Sequence, residues 1–193
     1  MAKQAENTGG RAGIPWRLIG WSIPVLLLLL PYVGDAPWSM GDYIFAAILF
    51  GGIGLAFELI VRTSSSLAYR LGAALAIVAA FLIVHATGAV GMIGDEGDPY
   101  NLLFFGVIAL ALAGAIAAGF RAQGMAYAMA GAFVAQTGLS VGGMPMDLRG
   151  GILSAVLGGV WLLSAALFWR DAQSSHASNE LRGGGSPREN GGE

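Results

Sequence analysis

Residues 102–142 read LLFFGVIALALAGAIAAGFRAQGMAYAMAGAFVAQTGLSVG. Two apolar stretches, Leu102–Gly119 and Met125–Gly142, flank a short link whose one charge is Arg121. Each stretch is close to the roughly 20 residues that carry a helix across a bilayer. The same unit recurs in both directions along the chain. Trp16–Val33, Tyr43–Val61 and Leu71–Thr87 come before it, and Ile152–Trp169 follows. Short links join the six blocks and hold most of the charge. The pattern predicts an all-α, polytopic transmembrane bundle of six helices.

Composition supports this reading. The chain of 193 residues is 55% hydrophobic and 11% charged, against about 25% charged in an average soluble domain. Such a chain is nearly all membrane domain and leaves no stretch for a separate soluble catalytic domain. The net charge of -2 is uninformative about partners. No basic patch or aromatic-interleaved arm points to nucleic acid, so no nucleic-acid partner is expected. The absence of Cys excludes disulfides and thiol chemistry, and with two His in the chain a multi-histidine metal or haem centre within one subunit is not expected.

The charges alternate in sign from link to link. The N-terminal segment carries Lys3, Arg11 and Arg17 against Glu6. The next link has Asp35 and Asp42, and the one after it Arg62 and Arg70. Asp95, Glu96 and Asp98 follow, then Arg121, then a neutral pair of Asp147 and Arg149, and Arg170 after the last block. Basic residues mark the cytoplasmic side, which places both termini there. The expected organisation is a flexible cytoplasmic segment over 1–14, a six-helix transmembrane domain over 15–170 and a disordered cytoplasmic tail over 171–193. The first block resembles a signal peptide in outline. However, VGDAPW lacks an A-x-A cleavage pattern and further spans follow, so a retained helix is expected.

Small residues suggest how the helices pack. Ala109, Ala113 and Ala117 repeat every four residues, Gly138 and Gly142 form a G-x-x-x-G, and Ser154 and Gly158 continue the theme. Four-residue spacing puts them on one helix face and lets backbones approach, either inside the bundle or between subunits. Pro24 falls within the first block, where a kink is expected. Most Trp and Tyr lie near block ends, at headgroup level. Trp161 is the mid-span exception, suited to packing or to a lipid-facing position.

Few polar groups lie at membrane depth, and those few are the candidate functional residues. Glu58 precedes Arg62 by four residues, the favourable order for a helical ion pair. A carboxylate in a span is also a candidate for carrying a proton or binding a substrate. His85, near the outer end of the third block, could meet Asp95, Glu96 and Asp98, which together suit a divalent cation in chemistry but match no metal motif in spacing. Asp98 followed by Pro99 is a helix start: the acid caps and the proline loses no helical hydrogen bond. Asn101 then sits in the first turn, where unpaired N–H groups could meet an anion or a headgroup. Gln136 needs an interhelical partner or a substrate at its depth.

Motifs for zinc peptidases, serine hydrolases, thiol redox centres and P-loops are absent. Neither an enzyme nor a cofactor is expected.

The stretch from Val90 to Met129 resembles the hallmark region of a family of small bacterial inner-membrane proteins without an assigned activity. Its hallmark is an acidic I-G-x-E-x-x-P-x-N-L loop, a helix opening on aromatic residues, and then F-R-x-x-G-M-A. The matching residues are Ile93, Gly94, Glu96, Pro99, Asn101 and Leu102, then Phe120, Arg121, Gly124, Met125 and Ala126. Asp42 with Tyr43, Phe57-Glu58-Leu59 before Arg62, and Tyr69-Arg70 also resemble that family. The resemblance covers about residues 40–130 and implies a bacterial, cytoplasmic-membrane location. The expected role is an accessory or structural component of that membrane. It would sit in the lipid bilayer as a homo-oligomer or within a larger complex. A small transporter or permease component is the alternative, although the two halves show no matching helix breaks.

Overall fold

A computed structural model describes residues 16–34, 37–64 and 66–183. The described residues are all-helical, with six α-helices: α1 (Trp16–Val33), α2 (Met40–Thr63), α3 (Leu67–Ala89), α4 (Leu102–Ala117), α5 (Ala122–Gly143) and α6 (Leu148–Gly183). One 3-10 turn, Pro99–Asn101, leads into α4. The segments Leu67–Ala89, Pro99–Ala117 and Leu148–Ser178 are each long and apolar enough to cross a membrane. Helices suit that solvent because every backbone amide finds its acceptor within the segment.

The chain divides into two compact units, residues 1–55 and 56–193. In the first, α1 runs unbroken through Pro24. The start of α2 is a reciprocal cap. Ser39 N–H donates to the Asp42 carboxylate at 2.7 Å, and Asp42 N–H donates back to the Ser39 hydroxyl at 3.3 Å. Both exchanges satisfy donors that a helix start leaves free.

In the second unit α5 packs against α4 and α6, and α6 also packs against α3. Lipid is as apolar as leucine, so helices here are held by close van der Waals packing and interhelical hydrogen bonds. Glycines permit the approach. A Cβ on Gly151 of α6 would stand 2.9 Å from the Ser140 carbonyl oxygen of α5, and one on Gly114 of α4 would stand 2.7 Å from the Ala128 Cβ of α5. Phe104, Trp161 and Phe168 are the largest side chains fully buried in the core.

Two packing expectations and one about the tail are corrected. Ala109, Ala113 and Ala117 are exposed, which corrects their packing inside the bundle and leaves contact between subunits. The buried face of α4 carries Phe104, Val107, Ala111 and Ala115. Ala111 and Ala113 are two residues apart, so they point to opposite sides of a helix with 3.6 residues per turn. Of the expected pair, Gly138 has open space where a Cβ would be, while Gly142 lies against the Tyr100 hydroxyl and the adjacent Gly143 against Ile93. Ser154 and Gly158 are buried on α6. The third correction concerns the tail. α6 continues to Gly183, so residues 171–183 are helical, and residues 184–193 lie outside the described part, as do residues 1–15.

Candidate functional site

The α3–α6 unit has an acidic end and a basic end. At the acidic end, Asn101 closes the link between α3 and α4. Its side-chain oxygen accepts from Met92 N–H at 2.8 Å and Ile93 N–H at 2.9 Å. Its amide donates to the Ile93 carbonyl at 3.2 Å and the Asp95 carbonyl at 2.8 Å. This buried side chain has no capacity left for an anion or headgroup. Asp98 caps as expected, accepting from Tyr100 N–H at 2.8 Å. Gly91 has φ +80, and a Cβ there would stand 2.8 Å from the Asp95 backbone. Tyr100 donates to the Leu139 carbonyl at 2.7 Å, which ties the link to α5.

Asp147, between α5 and α6, completes this end. It accepts from Arg149 and Gly150 N–H at 3.0 Å each and reaches across to Gly94 N–H at 3.2 Å. The bond from Gly150, then that from Gly94, holds its carboxyl below the ordinary value of 3.8. In the sequence Asp147 reads as half of a neutral pair, because the Gly94 contact spans more than fifty residues.

His85, Asp95 and Glu96 are exposed. His85 stacks on Phe81 of its own helix, with ring centroids 5.7 Å apart. No contact joins His85 to Asp95, Glu96 or Asp98, and among the described residues no group of three or more His, Asp or Glu is placed to hold a metal ion. The possible meeting of His85 with the acidic link is corrected: its ring is held along α3.

In the middle of the unit Gln136 is fully buried. It accepts from the Trp161 indole N–H at 2.8 Å and donates to the Ser154 carbonyl at 2.9 Å. Ser140 donates to the Gln136 carbonyl at 2.7 Å and lies 2.8 Å from the Ser154 hydroxyl. Ser164 of α6 donates to the Gly72 carbonyl of α3 at 2.7 Å. Gln136 thus joins α5 to α6, and Trp161 is a buried partner of it. The hydroxyls of Thr87 and Thr137 are the two buried side-chain polar atoms without a partner among the described residues. Glu58 pairs with Arg62 at 2.9 Å on α2.

At the basic end, Arg121 and Asp171 line a cavity of about 870 Å³ with Tyr69, Gln123, Tyr127 and His176. Glu58 and His85 line neither this cavity nor the smaller apolar one beside it. The turn between α4 and α5 is tight. Gly119 has φ +55 and Phe120 φ +57, a left-handed conformation that is uncommon for a bulky residue. Tyr69 holds that turn by donating to the Phe120 carbonyl at 2.7 Å. Asp171 is 8% exposed, and its backbone carbonyl accepts from Ser174 and Ser175.

By sequence alone Asp171 falls in the polar tail. A signal for it exists: Trp161, Ser164, Phe168 and Asp171 continue one buried helical stripe past Trp169. The stripe is invisible to hydropathy because its last member is charged.

No family model, no curated protein and no solved structure matches this chain.

Proposed function

We propose that this chain is a multi-pass inner-membrane protein with six spans and both termini in the cytoplasm, acting as an accessory or structural component of a membrane assembly. One observation carries the reading. Four polar side chains of α5 and α6 at membrane depth are occupied with each other: Gln136, Trp161, Ser140 and Ser154 form one buried interhelical network. A side chain that both donates and accepts across a helix interface holds helices together and has little left for a passing substrate. The orientation is supported by Arg70, Arg121 and Arg170 at one end of the unit and Asp95, Glu96 and Asp98 at the other, following the cytoplasmic bias of basic residues. The resemblance of residues 90–129 to small bacterial inner-membrane proteins supports the choice of membrane.

The test is purification from the native membrane in mild detergent, with mass spectrometry of whatever co-purifies. A stoichiometric, reproducible partner protein is expected. A clean monomer or homo-oligomer would overturn the accessory role and favour autonomous transport, with Glu58 the first residue to change. Orientation is checked separately, because the chain lacks Cys. A cysteine placed at Gly97 is expected to react with an impermeant reagent from outside, and one at Gly119 only after lysis.

A further inference from the structure

The cavity at the basic end contains a carboxylate with unmet hydrogen-bonding capacity. Asp171 is more than nine-tenths buried, faces the cavity, and has no donor or cation on its carboxylate among the described residues. Tyr69 lies within electrostatic reach of it, but the Tyr69 hydroxyl donates to the Phe120 carbonyl. A buried carboxylate costs free energy unless N–H or O–H groups complete it. The Asp171 carboxylate opens onto the cavity with no protein donor, so whatever fills the cavity, water or a ligand, completes it.

The same cavity holds the opposite chemistry a short way off. Arg121 is the N-cap of α5 and its side chain makes no capping bond. The N–H groups of Ala122, Gln123 and Gly124 therefore begin a 22-residue helix without acceptors. Such a helix start binds phosphate through these donors and its dipole, and Arg121 lines the same space.

A third observation selects an amphiphile. Tyr69 and Phe120 line both this cavity and an adjoining apolar pocket of about 260 Å³, walled by Ile77, Ile108, Met125 and Met129. A ligand seated at the polar end has an apolar continuation into the bundle.

The geometry points to a binding site for one phospholipid whose headgroup carries a primary amine. Its ammonium donates to Asp171, its phosphate accepts from Arg121 and the start of α5, and one acyl chain passes Tyr69 and Phe120 into the apolar pocket. This inference goes beyond the accessory role and does not depend on it, since a lipid can be held with or without a partner protein.

The test is native mass spectrometry of the full chain after detergent delipidation. Phosphatidylethanolamine, phosphatidylcholine and phosphatidylglycerol with identical acyl chains are added in turn. Phosphatidylcholine keeps the phosphate and the positive charge but has no N–H to give. Phosphatidylethanolamine is expected to be retained about tenfold better than phosphatidylcholine, the size of one charge-assisted hydrogen bond. Asp171→Asn should erase that preference, and Arg121→Gln should lower retention of both lipids alike. Glycerophosphoethanolamine, the headgroup without chains, should fail to displace the bound lipid at equal concentration. Equal retention of phosphatidylethanolamine and phosphatidylcholine by the unaltered protein would overturn the site, and that comparison needs no variant to fold. Stronger retention of phosphatidylglycerol would reduce it to an anion site. Displacement by the chainless headgroup would remove the lipid and leave a soluble amine phosphate.

Discussion

The two ends of the α3–α6 unit are finished differently. At the acidic end Asn101 makes four hydrogen bonds within its link, Asp147 accepts three more, and Tyr100 anchors the link to α5. At the basic end Asp171 is buried beside an uncapped helix start, and the nearby phenol is engaged elsewhere. A saturated loop stabilises and has nothing left to bind with. An unsaturated pocket costs stability and keeps its chemistry for a ligand. The difference shows why the acidic link, the more conspicuous in the sequence, is the poorer candidate for a site.

The comparison is most exposed to failure at Asn101. Asn101→Ala strands the buried N–H groups of Met92 and Ile93, and at roughly 1–3 kcal/mol per unsatisfied donor the expected loss is about 3 kcal/mol or more. Thermal unfolding in detergent measures it, and an unchanged melting temperature would mean that the link is not held through this side chain. Trp161→Phe should cost about 1 kcal/mol, because it leaves the Gln136 oxygen without its indole donor in the core. Combining Trp161→Phe with Gln136→Leu should recover part of that loss, and full additivity would deny the pair.

Asp171→Asn should act with the opposite sign. Its carboxylate opens onto the cavity and has no protein donor to lose, so the exchange is expected to raise the stability of the delipidated protein by about 0.5 kcal/mol at most. A clear fall in melting temperature would give the carboxylate a structural partner and make the two ends alike.

Acid sharpens the contrast through Asp147. Its carboxyl is held below the ordinary 3.8 by the Gly150 and Gly94 N–H groups, so it ionises more readily folded than unfolded. Its contribution is complete above pH 3.8 and is lost as pH falls through the lower folded value. Melting temperature measured downward from pH 6 should therefore decline less steeply in Asp147→Asn than in the unaltered chain, and parallel curves would remove Asp147 from the account. The smallest effect is expected at Ala113→Leu, within about 0.5 kcal/mol, because Ala113 faces outward from α4. A larger loss, or a change in oligomer size by light scattering, would put another helix against that face.

Much of the local structure was legible. The start of α4 follows from Asp98 and Pro99, which act on their own neighbours through capping geometry. The Glu58–Arg62 pair follows from four-residue spacing on one helix. Faces were harder to read. In a helix that is apolar all round, hydropathy does not mark the inward side, and alanines at four-residue spacing are as compatible with lipid as with a neighbour. This is why Ala109, Ala113 and Ala117 lie on the outward side of α4, and why Gly142 and Gly143 make close contacts where Gly138 makes none.

By itself the sequence determined that the chain is helical, where the helices run apart from the extension of α6 to Gly183, and which links carry which charge, since apolar length, caps and helix spacing act over a few residues. The tertiary structure alone decided that Asn101 is spent inside its own link, that Asp147 reaches Gly94, and that Asp171 is buried opposite Tyr69 with its carboxylate open to a cavity. Each of these depends on segments brought together by packing, and burial combined with partner supply is a property of that arrangement.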